Sequence, residues 1–189
     1  MRKIVSFMHV SLDGFVCGLN GELGWVNIGD EIGADVDIRL QKIGAAIYGR
    51  VTYGMMAGYW PTVSSNPNSS ARDLAHAAWV ENLPKIVVSR SLEKTDWNNT
   101  TLIRDHVSEE IEKLKQLPGD DLMIFGSPKL THLLAQLGSV DEYLMYLNPV
   151  LVGAGTPLFE AGSKPGKLKL LEENVFHAGV IALRYALDR

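Results

Sequence analysis

An α/β sandwich with a mixed, mainly parallel sheet is predicted by three observations. Short apolar runs alternate with helix-period segments for most of the chain. One of these runs, Leu122 to Phe125, passes through a glycine turn straight into a helix. Two strand-like runs, Leu168 to Phe176 and Val180 to Leu187, are joined by His177-Ala178-Gly179 and close the chain as an antiparallel hairpin.

The elements follow in order. Ile4 to Val10 reads as the first strand, and Ser11-Leu12-Asp13-Gly14 turns out of it into a loop carrying Gly18, Gly21 and Gly24. Asp30 or Asp35 caps a helix whose Ile32, Val36, Leu40 and Ile43 share a face. Ala45 to Tyr48 is a short strand, and Gly49-Arg50-Val51-Thr52-Tyr53 leads into a short helix. Tyr59 to Asn68, with two prolines, reads as a polar loop. Ser70 and Asp73 have capping-box spacing and open a helix to about Asn82. Lys85 to Ser89 and Thr100 to Ile103 are strands, and Ser108 starts a charged amphipathic helix stopped by Pro118-Gly119. After the strand Leu122–Phe125, Gly126 supplies the turn, Ser127 suits an N-cap and Pro128 suits the first helical position. Leu130, Leu133, Leu134 and Leu137 then mark the buried face, and Gly138 ends the helix. Asp141 to Val150 is a long strand, apolar on both faces.

A length of 189 residues suits one domain, 1–189, with a substantial core. Hydrophobic and charged fractions of 46% and 21% are those of a soluble globular chain. A net charge of −4 and the lack of any basic run argue against nucleic acid as a partner. Cys17 is the sole cysteine, so no internal disulfide forms, which fits a reducing, cytoplasmic setting. The N-terminal apolar stretch is short and reads as a strand rather than a signal peptide, and no run is long enough to span a membrane.

Three turns share one character: Gly49-Arg50-Val51-Thr52, Ser89-Arg90-Ser91 and Gly126-Ser127-Pro128. Each follows a short apolar strand, so in a parallel sheet all three emerge at the carboxyl edge, where open α/β sheets bind ligands. Two arginines, several hydroxyls and free helix N-termini at one edge suit the phosphates of a nucleotide. Taken alone, Arg50 or Arg90 reads as a surface ion pair. No Gly-x-Gly-x-x-Gly and no Gly-Lys-Ser or Gly-Lys-Thr occurs, so neither an ordinary Rossmann motif nor a P-loop is present.

An ordered set of motifs covers nearly the whole chain: Ser11-Leu12-Asp13-Gly14-Phe15, Tyr48 to Tyr53, Val88 to Ser91, Ile124 to Ser127 and Pro149 to Phe159. With this set the chain resembles the dihydrofolate reductase-like superfamily. It is most similar to bacterial proteins like the C-terminal reductase domain of the riboflavin-biosynthesis bifunctional deaminase–reductase. The resemblance implies a dihydrofolate reductase-like three-layer sandwich that binds NADPH. Gly49, Arg50 and Thr52 would meet the adenosine ribose and its 2′-phosphate, Ser89 and Arg90 the adenine end, and Gly126 and Ser127 the pyrophosphate. One departure stands out. Relatives commonly carry consecutive glycines at the third site, whereas Pro128 here removes a backbone donor, and Ser127 brings a hydroxyl and an N–H.

The activity implied is an NADPH-dependent reduction of a small pteridine- or aminopyrimidine-type heterocycle, similar to that of 5-amino-6-(5-phosphoribosylamino)uracil reductase. A non-catalytic nucleotide-binding protein or heterocycle sensor on the same fold is the alternative. Dihydrofolate reductases place an acid on the first helix shortly after a tryptophan, so Trp25 followed by Asp30 and Glu31 marks these carboxyls as proton-donor candidates. Against this, Asp30 serves equally as a helix cap. Asp13 is a further substrate-side candidate, or simply a turn residue. Trp25 and Trp60 flank the expected cleft as its aromatic lining. His9, His76, His106, His132 and His177 show no metal spacing, and His9 and His132 read as packed or surface residues. The resemblance also implies a homodimer paired through Tyr143 to Val150 and the Gly153-Ala154-Gly155 loop.

Overall fold

The computed structural model describes residues 1–161 and 166–188. Its strands are β1 (Ile4–Ser11), β2 (Phe15–Gly18), β3 (Ile43–Gly49), β4 (Lys85–Val88), β5 (Thr100–Ile103), β6 (Asp121–Phe125), β7 (Glu142–Asn148), β8 (Gly155–Pro157), β9 (Leu168–Val175) and β10 (Ile181–Leu187). Its helices are α1 (Asp30–Leu40), α2 (Arg50–Val63), α3 (Ala71–Asn82), α4 (Val107–Gln116) and α5 (Pro128–Gln136). Eight strands form one sheet in the order β5-β4-β3-β6-β1-β7-β10-β9, while β2 and β8 make a small antiparallel ribbon. From β5 to β7 every pairing is parallel, and β10 is antiparallel to both β7 and β9. The mixed, mainly parallel sheet and the closing hairpin are as the alternation of patterns predicts.

Period-2 alternation sends the two sides of each strand into different cores. Val5, Ala46, Tyr48, Val87, Met123, Phe125, Leu144 and Tyr146 pack with α1, α2 and α3 through Ile32, Leu40, Tyr53 and Val80. Ile4, Ala45, Ile47, Ile86, Leu122, Ile124 and Tyr143 pack with α4 and α5 through Ile111, Leu130 and Leu134. The result is three layers, with α1–α3 on one face and α4–α5 on the other.

Several local expectations are corrected. Ile43 opens β3 rather than closing the α1 face. The α1 N-cap is Gly29, not Asp30 or Asp35. Tyr59, Trp60 and Pro61 are not in a loop, because α2 runs to Val63 with Pro61 in its last turn. There Pro61 lacks only one late hydrogen bond, which packing against α3 offsets. On α5, Leu130 and Leu134 are buried, but Leu133 and Leu137 are 40% and 43% exposed, and Thr131 takes the place in the interior. The capping box of α3 forms as its spacing predicts: Ser70 Oγ accepts from the Asp73 N–H at 3.1 Å, and the Ser70 N–H donates to Asp73 at 3.2 Å.

β7 is held between β1 and β10, with Tyr143, Leu144 and Tyr146 buried in the chain's own cores. These residues of the expected pairing strand therefore fill the interior. Buried Glu142 accepts from Lys3 and Arg184, each at 2.6 Å, which fixes the amino end of β7. Among the described residues, no helix is long and apolar enough to cross a membrane.

Candidate active site

Strands β4, β3 and β6 are consecutive and parallel, so the turns after Val88, Gly49 and Phe125 lie side by side at the carboxyl edge. Two of them are bonded directly. Ser127 Oγ accepts the Gly49 N–H at 2.9 Å and donates to the Phe125 carbonyl at 3.0 Å. The hydroxyl expected to cap α5 is thus spent on joining the two turns, and no side chain caps α5. Gly126 at φ +53 and Ser127 at φ 55, ψ 55 are both left-handed. A left-handed serine is uncommon, and its double hydrogen bond holds it there.

The N-termini of α2 and α5 open at this edge. Neither has a side-chain cap and neither has an acid in its first turn. In contrast α1, α3 and α4 carry Asp30 and Glu31, Asp73, and Glu109 and Glu110 there. The first-turn N–H groups of α2, and those of Lys129 and Leu130 in α5, have no intrahelical acceptor. Exposed Arg50 and Lys129 add positive charge beside them. The chain therefore leaves its two cleft-facing helix dipoles without an anion and places cations next to them, which fits phosphate oxygens. Thr52 is buried, with its Oγ1 3.6 Å from the position of a Cβ on Gly126. Ser89 is buried and its Oγ accepts the Leu92 N–H at 3.1 Å, shaping the third turn. Arg90 is exposed and, like Arg50, forms no ion pair among the described residues.

Next to this edge, on the α1–α3 face, the middle of the sheet is left partly open. Phe7 and His9 alternate with buried Ser6, Met8 and Val10 yet are themselves only half-buried. His9 stacks on Tyr146 at 5.1 Å between ring centres, and Tyr146 stacks on Phe176 at 6.2 Å. The Tyr146 hydroxyl donates to Asp35, whose carboxylate also takes the Arg39 guanidinium at 2.7 Å. At the outer end of the same face, Asn148 Oδ1 accepts the Asn27 N–H at 2.9 Å and ties down the loop that carries Trp25. Trp25 is half-buried, and its Nε1 is buried without a hydrogen-bond partner.

The other candidates fall as follows. Asp30 is exposed at the start of α1. Glu31 accepts the His177 N–H at 3.1 Å and pairs with the His177 ring at 3.1 Å, which ties α1 to the β9–β10 turn. Asp13 accepts from Ser11 Oγ at 2.6 Å and from the N–H groups of Val152 and Gly153 at 3.1 and 2.7 Å. The Ser11 bond leads in holding its carboxyl below the usual range. Asp13 thus clamps the loop after β7, as a turn residue does. Trp60 lies eleven residues past Gly49, about 16.5 Å along the α2 axis. Its ring packs on His76 at 4.2 Å, between α2 and α3. The structure brings together the residues of the three turns and anchors the loop that carries Trp25 to Asn148 at the end of β7. The sequence reads His9 as a packed or surface residue and Tyr146 and Asn148 as part of a pairing strand, whereas all three lie along the α1–α3 face of the sheet. The signal for His9 was its parity with Val5 and Phe7 in β1.

Two cavities lie elsewhere. One of about 170 Å³ at the amino end of the sheet is lined by Asp35, Arg39, Lys42, Asp121, Glu172 and Arg184, many of which pair with one another or with Glu142. Another of about 400 Å³ lies on the opposite face beside Asp13, Met145, Leu147, Leu158 and Phe159. No group of His, Cys, Asp and Glu among the described residues could hold a metal ion.

Comparison with known proteins agrees with this architecture. Residues 2–182 match the family described as the RibD C-terminal domain. The uncharacterized protein YyaP of Bacillus subtilis (strain 168) is 33% identical over 186 residues, covering 97% of this chain and 94% of that one. A protein of Shewanella sp. PV-4 named for riboflavin biosynthesis superposes with a TM-score of 0.77 at 18% identity, over 100% of both chains. Dihydrofolate reductase from Enterococcus faecalis, solved in complex with NADP(H), superposes with a TM-score of 0.63 at 13% identity, covering 99% of this chain and 97% of that one. At such identities the structural likeness speaks for the fold, which is dihydrofolate reductase-like. With the family match running from residue 2 to 182 and YyaP similar along almost its whole length, the chain belongs to the RibD C-terminal domain family.

Proposed function

We propose that the chain is a cytosolic, one-domain NADPH-dependent reductase of a small pteridine- or aminopyrimidine-type heterocycle. The observation that carries this is the pair of helix N-termini, α2 and α5, which share one edge, lack any acid in the first turn and are joined through Ser127. That arrangement suits a dinucleotide's phosphates, with Arg50 supplying a fork for a 2′-phosphate. Ser89 and Arg90 lie one strand further out, in line with the adenine end. NADPH, when bound, supplies the hydride. The protein's part is to hold the phosphates along the β4-β3-β6 edge and to offer the open face over Phe7 and His9 to the acceptor. The proton that must accompany the hydride comes from Asp30 or Glu31 in this reading, by water or directly. Glu31 would first have to leave His177, and that favours Asp30.

The test is a fluorescence titration with NADPH and with NADH. Saturable micromolar binding of NADPH is expected, and Arg50→Gln should weaken it about tenfold while leaving NADH nearly unchanged. Absence of saturable NADPH binding would sink the reading. The sensor alternative draws on the occupied state of Glu31. NADPH that binds but is not oxidised with any of a panel of pterins, flavins and pyrimidines would favour it.

The reading includes a homodimer that contacts through the Gly153-Ala154-Gly155 loop. Sedimentation velocity should show a dimer at tens of micromolar chain, and a purely monomeric profile there would count against it.

A further inference from the structure

The junction of α1, α2 and α3 packs an imidazole against two indoles. The His76 ring of α3 lies 4.2 Å from Trp60 of α2 and 5.3 Å from Trp79, one turn on in α3, between ring centres. Trp60 is itself fixed: its Nε1–H donates to Met56 Sδ at 3.2 Å, and Tyr59 meets its ring edge-on at 5.0 Å. Only 17% of the His76 side chain is exposed. Its Nδ1 is 3.9 Å from Asp37 Oδ1 of α1, too far for a hydrogen bond. Asp37 is taken instead by Arg72 of α3. Arg72 Nε donates to Oδ2 at 2.7 Å and Nη2 to Oδ1 at 3.3 Å, and Nη2 also donates to the Gly33 carbonyl at 2.9 Å. Gly33 lets the guanidinium lie this close, because an added Cβ would come within 2.2 Å of it. Arg72 and His76 are four residues apart on one face of α3, so a single carboxylate faces two basic side chains and serves one of them.

We infer that His76 is a proton-operated wedge: neutral, it stays against Trp60 and Trp79 and leaves Asp37 to Arg72; protonated, it leaves the indoles, competes with Arg72 for Asp37 and loosens α3 from α2. Its action is independent of whether the cleft takes NADPH. Charge separates the two states. Burial leads in holding the imidazole below its ordinary value; Asp37 opposes it, Arg72 adds to it and Asp73 opposes it. The ring is therefore neutral around neutral pH. From α2 no charge reaches it, since Arg50, the one charged residue of that helix, lies at the far end. On α3, Asp73 is engaged in the capping box and Glu81 accepts from Trp97 Nε1 at 2.7 Å. On α1, Asp35 is held by Arg39 at 2.7 Å. Asp37 is thus the carboxylate that a protonated ring meets. The indole faces attract a cation, but so closed a slot withholds the water that a charge needs. Moving about 1 Å toward half-exposed Asp37 gives the imidazolium a charge-assisted hydrogen bond. Because the folded chain holds this proton less well than the unfolded one, the stability that neutral His76 contributes is complete above the ordinary imidazole value and is lost as the pH falls through the lowered value.

The experiment uses the full chain labelled with ¹³C and ¹⁵N, with spectra of the histidine rings and the indole N–H groups recorded between about pH 8 and pH 5. The His76 ring is expected to titrate with a midpoint below the ordinary imidazole value. On protonation its ring protons should lose the ring-current shift of Trp60, and the Trp60 Nε1–H resonance should move with the same midpoint. Amide protection in α3 should fall on the acid side while that of β3 holds. His76→Phe keeps a ring against Trp60 with no proton to gain, so neither the movement of Trp60 nor the loss of α3 protection should occur in it. Arg72→Met removes the competing cation and frees Asp37, and should raise the His76 midpoint; Asp37→Asn should lower it. Thermal melts at neutral pH establish which variants fold, and Arg72→Met, which leaves the slot itself untouched, carries the test if His76→Phe does not. The wedge is overturned if His76 titrates at or above the ordinary value, if Arg72→Met leaves the midpoint in place, if Trp60 responds to acid equally in His76→Phe, or if α3 protection is the same on both sides of the midpoint.

Discussion

Gly126→Val is expected to lower NADPH affinity by about a hundredfold or more while leaving the chain folded. Gly126 holds φ +53 at the end of β6, a conformation that a β-branched residue adopts only with strain. The strain would be relieved by rotating the peptide that leads into Ser127. That rotation moves Ser127 Oγ away from the Gly49 N–H and uncouples the two helix N-termini. The added Cβ itself would stand in ordinary contact with Thr52 Oγ1 at 3.6 Å, so the expected loss comes from the backbone conformation and from methyl groups placed at the turn where the cofactor phosphates are proposed to sit. Gly138→Ala is the control. Gly138 has φ +72, with nothing within 4 Å of an added Cβ, so it carries backbone strain of the same kind remote from the cleft. It should lose stability without losing affinity. Equal NADPH affinities for Gly126→Val and the parent, by fluorescence titration, would remove this turn from the cofactor site.

Lys85→Met should lower the melting temperature by about 5–10 °C, corresponding to about 2–3 kcal/mol. Lys85 begins β4 and is 1% exposed. Its ammonium donates to the carbonyls of Val80, Leu83 and Glu81 at 2.7, 2.8 and 3.1 Å, around the end of α3. The same group lies 4.6 Å over the ring of Trp97. It therefore closes off α3, places a cation at the negative end of its dipole and gains from the indole face. Methionine keeps the stem and its packing, so the change isolates the ammonium. Burial lowers the lysine's pKa, a sign that the charge is held at some cost in desolvation, which methionine would spare. The loss of three acceptor partnerships outweighs that saving because the carbonyls stay behind in the interior. A melting temperature within about 1 °C of the parent would show that the saving wins.

The candidate site was legible in the sequence to the extent that it depends on strand-end turns. Gly49-Arg50, Ser89-Arg90 and Gly126-Ser127 were expected at one edge because each follows a short apolar run, and the parallel pairing of β4, β3 and β6 puts them there. What the sequence misjudged was the use of particular side chains. Ser127 has every local feature of an N-cap, yet a neighbouring strand offers the Gly49 N–H and draws the hydroxyl away. Trp60-Pro61 has the look of a loop, yet α2 persists because Trp60 stacks on His76 of α3. Leu133 and Leu137 fit the helix period, but α5 is rotated so that Thr131 faces inward, where its Oγ1 is 3.2 Å from Ser6 Oγ.

The sequence by itself determined the order of the main sheet's strands and of the helices, the mixed sheet with its closing hairpin and the glycine turns at the strand ends, but not the small β2–β8 ribbon, both strands of which read as loop. These follow from periodicity and backbone preference, which act within a few residues. Only the tertiary structure decided that Glu31 is held by His177, that Asp13 is held by the loop after β7, and that the Tyr146 hydroxyl reaches Asp35. Each depends on which distant groups arrive beside a polar side chain. A hydrogen bond to a partner more than a hundred residues away leaves no trace in local pattern. Phe7 and Gly126 are 119 positions apart, and it is the pairing of β1 with β6 that brings the Gly126 N–H to the Phe7 carbonyl.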